Sequence, residues 1–193
     1  MAKVALLLID IQNDFHDGGS LAVPGANADC ARISEMIEKN LDKIGDVFVT
    51  LDSHHKEHIA HAGCWNSKAD GSGEQPPPFT LISNADIANG KWFPVDFALS
   101  KEYCLQYTAA LEKKGRFKLT IWPDHCIMGT PGNNVVPRLQ VALDKWVAAN
   151  PTSNKIQYVL KGKNNMTEMY SAIEAEVPHP SDPTTFKNVP FVD

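Results

Sequence analysis

The sequence predicts an α/β protein built on a mostly parallel sheet, a Rossmann-like arrangement with helices on its faces. Short apolar segments that end in an ionisable residue alternate along the chain with longer segments whose apolar residues recur at helical spacing. The first apolar segment, "KVALLLID" (Lys3–Asp10), contains no alternation of polar residues. Such a run is typical of a strand buried on both faces of a parallel sheet.

The first 52 residues predict one strand–helix–strand unit. Lys3–Asp10 is the first strand, and "DVFVTLD" (Asp46–Asp52) is a second short apolar strand that also ends in an acid. Between them, the predicted helix Ala28–Ile44 ends before Gly45. Its apolar stripe consists of Ile33, Met36, Ile37, Leu41 and Ile44. The crossover between the two parallel strands is expected to be right-handed.

The second half of the chain continues the pattern after an interruption. Residues 62–97 are rich in turn-forming residues and have no periodicity, which predicts a loop inserted at the surface. The elements predicted beyond it are a helix over Ser100–Gly115, capped by its terminal residues, a strand over Lys118–Trp122, a helix over Asn134–Ala149 and a strand over Lys155–Lys161. We therefore predict a single domain over residues 1–193 with an insertion at about 62–117.

Charge and hydropathy argue against nucleic acid and membrane as partners. The net charge of −5 and the absence of a basic stripe disfavour a nucleic-acid surface. The longest apolar run, Val4–Ile9, is too short to cross a membrane. The four cysteines have no CxxC spacing and predict reduced thiols. A cytoplasmic protein is therefore expected.

Three of the predicted strands carry an ionisable residue at their carboxyl ends, namely Asp10, Asp52 and Lys161. Open parallel sheets bind ligands along this edge. We therefore expect the functional site where these three side chains converge.

A cluster of histidines follows the second strand in "LDSHHKEHIAH". Side chains two residues apart on a strand point to the same side, so Asp52 and His54 could hold one divalent cation. His125 is a candidate third ligand, and such a set leaves open positions for water or substrate. His58 or His61 could serve as a fourth ligand or as support for the others. The alternative is that these are ordinary histidines of an exposed loop.

Cys126 follows His125 directly, which raises the alternative of a Cys–His dyad. Neighbours on a strand point to opposite faces, so these two side chains are poorly placed to hydrogen-bond each other. Cys126 is therefore interpreted as a packed, unreactive thiol.

Four segments occur in a characteristic order, "LLLIDIQNDF", "DSHHKEH", "WPDHCIMGTPG" and "LKGKNNMTEMYSA". Together they resemble the nicotinamidase and isochorismatase-like cysteine hydrolases, in particular the nicotinamidase branch. The resemblance extends from Val4 to about Val177 and is interrupted by the insertion. It implies the isochorismatase-like hydrolase fold, an Asp–Lys–Cys triad and a bound metal ion.

The resemblance also implies roles for individual residues. Asp10 matches the triad aspartate that takes the thiol proton, and Lys161 matches the triad lysine that favours the thiolate. Asp52, His54 and His125 match the metal ligands. Phe15 and Trp122 match aromatic positions that line the pocket of a flat heteroaromatic substrate.

The implied cofactor is a divalent metal ion that grips the pyridine nitrogen of the substrate and orients it. Zinc is expected first, with iron or manganese as alternatives, because two imidazoles and a carboxylate suit each of them. The implied reaction converts nicotinamide and water to nicotinate and ammonia.

The family's nucleophile is a cysteine further along the chain, and none of the four cysteines aligns with it. We therefore expect this chain to be an amino-terminal portion, with the nucleophile beyond Asp193 or on a second chain. A homo-oligomer is an alternative assembly. Two other functions stay open, a related small amide or ureide hydrolase and an inactive relative that binds a metal or ligand. Isochorismate is disfavoured as a substrate because that branch generally lacks the metal ligands.

Overall fold

The computed structural model describes residues 3–95, 99–151 and 156–188. The strands and helices, in chain order, are β1 (Val4–Ile9), α1 (Ala26–Lys39), β2 (Ile44–Asp52), β3 (Trp65–Asn66), β4 (Leu81–Ile82), α2 (Asn84–Ala88), β5 (Phe93–Pro94), α3 (Lys101–Lys114), β6 (Leu119–Thr120), α4 (Pro137–Ala149) and β7 (Gln157–Lys161). The chain divides into two compact units, one formed by Met1–Ser53 and His125–Lys161 and the other by His54–Asp124 and Gly162–Asp193.

The first unit contains a three-stranded sheet in the order β1-β2-β7, and both strand pairs are parallel. This confirms the predicted α/β fold with a parallel sheet and flanking helices. In the register, Ile9 pairs with Thr50 and Asp52 pairs with Lys161. The carboxyl ends of the three strands therefore lie at one edge, as the sequence predicted.

Helices α1 and α4 pack together against alternate residues of the sheet. The buried members of this core include Leu8, Ile37, Val47, Val49, Leu139, Leu143 and Trp146. The indole N–H of Trp146 donates to the Ile44 carbonyl at 3.1 Å, so its polar atom is satisfied within the core. The core thus fixes β1 and β2 side by side.

The first helix was predicted over Ala28–Ile44, but α1 spans Ala26–Lys39 and therefore ends five residues earlier. Asn40 ends it by donating its side-chain N–H to the Met36 carbonyl at 2.8 Å. Ile44 instead begins β2 and is buried in the same core. The apolar pattern continued past the end of the helix because two consecutive elements bury residues in one core.

The second unit is built from short elements. β3 pairs with β5 and β4 pairs with β6, both antiparallel. The surface loop predicted over 62–97 therefore contains, in its described residues up to 95, three short strands and a short helix. Trp65, Ile82 and Ile87 of this segment are fully buried, so the predicted surface location is wrong for them.

The helix predicted over Ser100–Gly115 is confirmed as α3. The Ser100 hydroxyl accepts the Tyr103 N–H at 3.1 Å, and Gly115 ends the helix at φ 68°.

The strand predicted over Lys118–Trp122 is only two residues long and pairs antiparallel with β4. It does not join the parallel sheet. The sequence could not predict this, because the apolar pattern that indicates a strand does not specify the strand's partner. Of the strand predicted over Lys155–Lys161, Lys155 lies outside the described residues, and β7 begins at Gln157. The insertion predicted at 62–117 lies within the second unit, whereas the single domain over 1–193 stays a prediction.

Beyond β7, the described residues up to 188 contain one 3-10 turn, Pro183–Thr185, and otherwise irregular backbone. Hydrogen bonds tie this segment into the second unit, for example from the Ile59 N–H to the Asn165 carbonyl at 2.7 Å. Within residues 3–95, 99–151 and 156–188, no helix has the length and apolarity needed to cross a bilayer.

The core of the first unit leads to a prediction for α4. Leu143 is fully buried, whereas Val141 on the same helix is 52% exposed. We expect Leu143→Ala to lower the free energy of unfolding by about 2–5 kcal/mol, because it removes apolar contacts and leaves a cavity. Val141→Ala should change it by less than about 0.5 kcal/mol. Urea unfolding of both variants measures this, and equal losses would contradict the assigned core.

Candidate active site and metal centre

A buried lysine joins the carboxylates at the ends of the first two strands. The Nζ atom of Lys161 lies 3.1 Å from Oδ2 of Asp10 and 3.1 Å from Oδ1 of Asp52. Lys161 is only 4% exposed. The structure therefore brings together the three ionisable residues that the sequence placed at the strand ends.

The charge of Lys161 is stabilised by its partners. Burial lowers the pKa of this ammonium group, but the charges of Asp52 and Asp10 and their hydrogen bonds outweigh burial, and the net pKa is raised. Lys161 is therefore a permanent cation between two carboxylates. Asp10 has a further partner, since the Thr50 hydroxyl donates to its Oδ1 at 2.7 Å.

Asp10 has an unusual backbone conformation. Its φ is 51°, in the left-handed region that non-glycine residues rarely adopt. Its N–H is directed to the Thr50 carbonyl and hydroxyl, both at 3.1 Å, and its carbonyl accepts the Gln12 N–H at 2.8 Å. These bonds hold the chain in a strained turn directly after β1, a feature that occurs preferentially at functional sites.

Asp52 uses its second oxygen toward a histidine. Oδ2 of Asp52 lies 3.3 Å from Nε2 of His125. Asp52, His54 and His125 form the one group of three potential ligand residues, within the described part of the chain, whose ligand atoms all lie within 4.8 Å of one another. All three are buried.

The donor set of this group fits a divalent metal ion. Nδ1 of His54 lies 3.0 Å from the Gly162 carbonyl oxygen, which assigns the proton to Nδ1 and makes Nε2 the ligand atom. A carboxylate with two imidazoles is the kind of set that holds a catalytic metal and leaves positions for other ligands. The structure therefore contains a candidate metal site.

Gln12 fixes the peptide of Asp52, a role that the sequence had not suggested. Its side chain is completely buried. Nε2 donates to the Asp52 carbonyl at 2.6 Å, and Oε1 accepts the Asp52 N–H at 2.7 Å. Asn133 adds a third bond, from its Nδ2 to the same carbonyl at 2.7 Å. The sequence signal that could have identified it was a glutamine two residues after Asp10, just beyond the apolar strand.

Phe15 lies beside His125, and both residues belong to the first unit. Its ring meets the ring of His125 edge-on, with centroids 5.7 Å apart. Phe15 and Asp10 also line a mainly apolar cavity of about 480 Å³ along β1 and α1. The volume is in the range of small-molecule sites.

Trp122, the second predicted aromatic residue, belongs to the second unit. Its ring contacts Tyr170 and Phe79 edge-on, at centroid distances of 6.4 Å and 5.9 Å. The indole N–H donates to the Tyr170 hydroxyl at 3.4 Å. Trp122 therefore lies in an aromatic cluster, and its contact with substrate stays a prediction.

His58 lies against His54 in the second unit, with ring centroids 4.6 Å apart. It is not a member of the group of close ligand atoms. Its Nδ1 accepts the Ala60 N–H at 3.2 Å and lies 3.4 Å from the carboxylate of Glu168. This arrangement favours the supporting role over the fourth-ligand role among the alternatives for His58. His61 packs against His58, with ring centroids 5.3 Å apart.

Cys126 has the properties of an unreactive thiol. It is fully buried, and burial together with the nearby charges of Asp52, Asp14 and Asp10 raises its pKa far above the usual range, while Lys161 only partly opposes this. The thiolate is the nucleophilic form, so such a thiol is a poor nucleophile at neutral pH.

Known proteins resemble this chain in both sequence and structure. It is 26% identical over 172 residues to the nicotinamidase of Escherichia coli, a match that covers 89% of this chain and 57% of that protein. No protein-family model matches the sequence. Solved structures of nicotinamidases share the fold. The yeast nicotinamidase bound to the inhibitor nicotinaldehyde is 22% identical, with a TM-score of 0.56 over 89% of this chain and 62% of its own.

The nicotinamidase/pyrazinamidase of Acinetobacter baumanii is 24% identical, with a TM-score of 0.57 over 96% of this chain and 61% of its own. These similarities confirm the resemblance to nicotinamidases that the four sequence segments predicted. The chain spans less than two thirds of the length of each of these relatives.

The ion pairs of Lys161 lead to a stability prediction. Lys161→Met leaves two carboxylates at one buried site without their counter-charge, so we expect the free energy of unfolding to fall by about 3–5 kcal/mol. The exposed Lys163 supplies the control, and Lys163→Met should have little effect. Urea unfolding measures both. Adding Asp10→Asn to Lys161→Met should restore part of the loss, and an additive further loss would contradict the proposed charge balance.

Proposed function

We propose that this chain carries the base, the lysine and the metal-binding residues of a metal-dependent nicotinamidase, which converts nicotinamide and water to nicotinate and ammonia. The observation that carries the proposal is the bridge from Asp10 through Lys161 to Asp52, whose second oxygen faces His125. The similarity to the Escherichia coli nicotinamidase supports the same assignment.

The proposed reaction is nucleophilic amide hydrolysis. Asp10 takes the proton of the attacking thiol and later delivers it to the departing ammonia. The fixed charge of Lys161 stabilises the thiolate beside it. The thiolate attacks the carbonyl carbon, the oxyanion collapses to a thioester with loss of ammonia, and water hydrolyses the thioester.

The attacking thiol is proposed to be one that these 193 residues do not supply. The raised pKa and burial of Cys126 disfavour it as the attacking group. The match covers 57% of the Escherichia coli nicotinamidase.

The metal site is proposed to orient the substrate. A divalent cation held by Asp52, His54 and His125 would supply a Lewis-acidic position for the pyridine nitrogen. Phe15, beside His125, is proposed to contact the flat substrate ring, and so is Trp122. Zinc is the first candidate ion, with iron or manganese as alternatives.

A second function is favoured by one observation. The burial and the raised pKa of Cys126 favour an inactive relative that binds a metal or a ligand. A hydrolase of another small amide or a ureide, with the same residues, is a variant of the first proposal. A cytoplasmic location is also proposed, since all four cysteines are free, as expected in a reducing compartment.

Ammonia release from nicotinamide separates these functions. We expect the metal-loaded protein expressed from its complete coding sequence to hydrolyse nicotinamide, and the 193-residue chain alone to bind metal without hydrolysis. Hydrolysis by the 193-residue chain would overturn the external nucleophile. Absence of hydrolysis by the complete, metal-loaded protein would overturn the amidase assignment.

The role of Asp10 gives a second prediction. Asp10→Asn removes the proton acceptor, so kcat on nicotinamide should fall by at least about 100-fold, the usual contribution of a positioned base. Metal content should stay unchanged, because Asp10 is not among the candidate ligands. Asp42→Asn, at an exposed position, is the matched control. A wild-type kcat in Asp10→Asn would contradict the role.

The metal ligands give a third prediction. The adjacent His54 and His55 provide a test position and its matched control. His54 is buried in the ligand group, whereas His55 is exposed. His54→Ala should weaken zinc affinity by more than the roughly 10–100-fold that follows loss of a residue supporting a ligand. His55→Ala should leave the affinity unchanged. Competition with a chromophoric chelator measures both affinities, and equal effects would contradict the assignment.

A further inference from the structure

We infer that Asp14 is a positioning residue that orients His125 toward the cation by holding the backbone of Cys126, a role that rests on the proposed metal site. Asp14 belongs to the segment "DIQNDF" but lies outside the catalytic and metal-binding residues assigned above. Its carboxylate contacts the loop that carries His125, and the whole connection lies within the first unit.

The central contact is a short hydrogen bond to the main chain. Oδ2 of Asp14 accepts the N–H of Cys126 at 2.6 Å. A bond from a peptide N–H to a carboxylate is charge-assisted and stronger than one between neutral groups. This bond fixes the peptide that links His125 to Cys126.

The backbone at Cys126 needs such support. Its φ is 48°, in the left-handed region, which is costly for a residue with a side chain unless the surroundings enforce it. The conformation at this position determines the direction in which the preceding residue projects. His125 then points its Nε2 toward Oδ2 of Asp52, at 3.3 Å.

Asp14 is itself fixed from several sides. Its Oδ1 accepts the Ser20 N–H at 3.3 Å, and its carbonyl accepts the Leu21 N–H at 3.0 Å. The preceding Asn13 is bonded through its N–H to the Asn134 carbonyl and through its side chain to the Pro131 carbonyl, at 2.9 Å and 2.7 Å. Hydrogen bonds within the first unit therefore preorganise the carboxylate.

Gly132 makes room for this carboxylate. A Cβ atom added at position 132 would collide with both oxygens of Asp14. The φ of Gly132 lies outside the left-handed region, so an alanine there is acceptable to the backbone itself. Gly132→Ala should therefore act by displacing the Asp14 carboxylate, which gives a second and independent way to break the same contact.

The experiment is cobalt binding to the 193-residue chain, followed by its visible spectrum and by competition with zinc. The variants are Asp14→Ala, Asp14→Asn, Gly132→Ala and the double variant Asp14→Ala/Gly132→Ala. Gly63→Ala is the matched control, because nothing lies within 4 Å of a Cβ added there. Thermal unfolding of the metal-free chain verifies that each variant is folded.

We expect Asp14→Ala and Gly132→Ala each to weaken affinity by about 10–100-fold and to alter the cobalt band. Asp14→Asn, which keeps an oxygen acceptor without the charge, should have a smaller effect. The double variant should be no worse than the stronger single variant, because both changes remove one contact. The band reports ligand geometry, which a general loss of stability in a still folded chain does not change.

Unchanged affinity and spectrum in folded Asp14→Asn and Gly132→Ala would overturn the role of Asp14. Additive losses in the double variant would overturn it as well. If the unmodified chain binds no cobalt or zinc, the metal site falls together with this role. Metal binding by the unmodified chain without the variant effects removes only the positioning role, so the two failures are distinguishable.

Discussion

The position of one ammonium group between two carboxylates determines the charge balance at this edge of the sheet. Lys161 ends β7, Asp52 ends β2 and Asp10 follows β1, so the parallel register brings the three charges to one edge. Two carboxylates at that edge would repel each other without the cation, and a buried cation would be costly without them. The sheet thus provides the geometry, and charge balance explains why these three residue types occur together.

The carboxylate of Asp52 links the ion pairs of Lys161 to the candidate metal site. One oxygen of Asp52 contacts Lys161 and the other faces His125, so Asp52 belongs both to the ion pairs and to the candidate metal site. Gln12 bonds to both the N–H and the carbonyl of Asp52, and Asn133 bonds to the same carbonyl. Because both carboxylate oxygens of Asp52 are engaged, its side chain has little freedom to rotate. This favours a site that is preorganised before a ligand binds.

Sequence reasoning located the strand ends, because an apolar run that marks a strand is a local feature and parallel strands place their carboxyl ends at one edge. It was wrong in expecting β1 to be buried on both faces, since Val4, Leu7 and Ile9 are exposed. It placed the end of the first helix too late, since Ile44 of β2 continues the apolar spacing of α1. It also could not identify the antiparallel partner of β6, which depends on distant residues. Gln12 and Asp14 were missed for the same reason, because their importance comes from bonds to segments more than 30 residues away.

The burial of the four native thiols has a practical consequence for labelling studies. Each cysteine is enclosed in the structure, and Cys104 and Cys126 are further protected by pKa values raised through burial. Electrophilic probes such as iodoacetamide should therefore modify this chain only slowly at neutral pH. Any rapid alkylation in a larger assembly would then report a thiol from outside these 193 residues, against a nearly silent background.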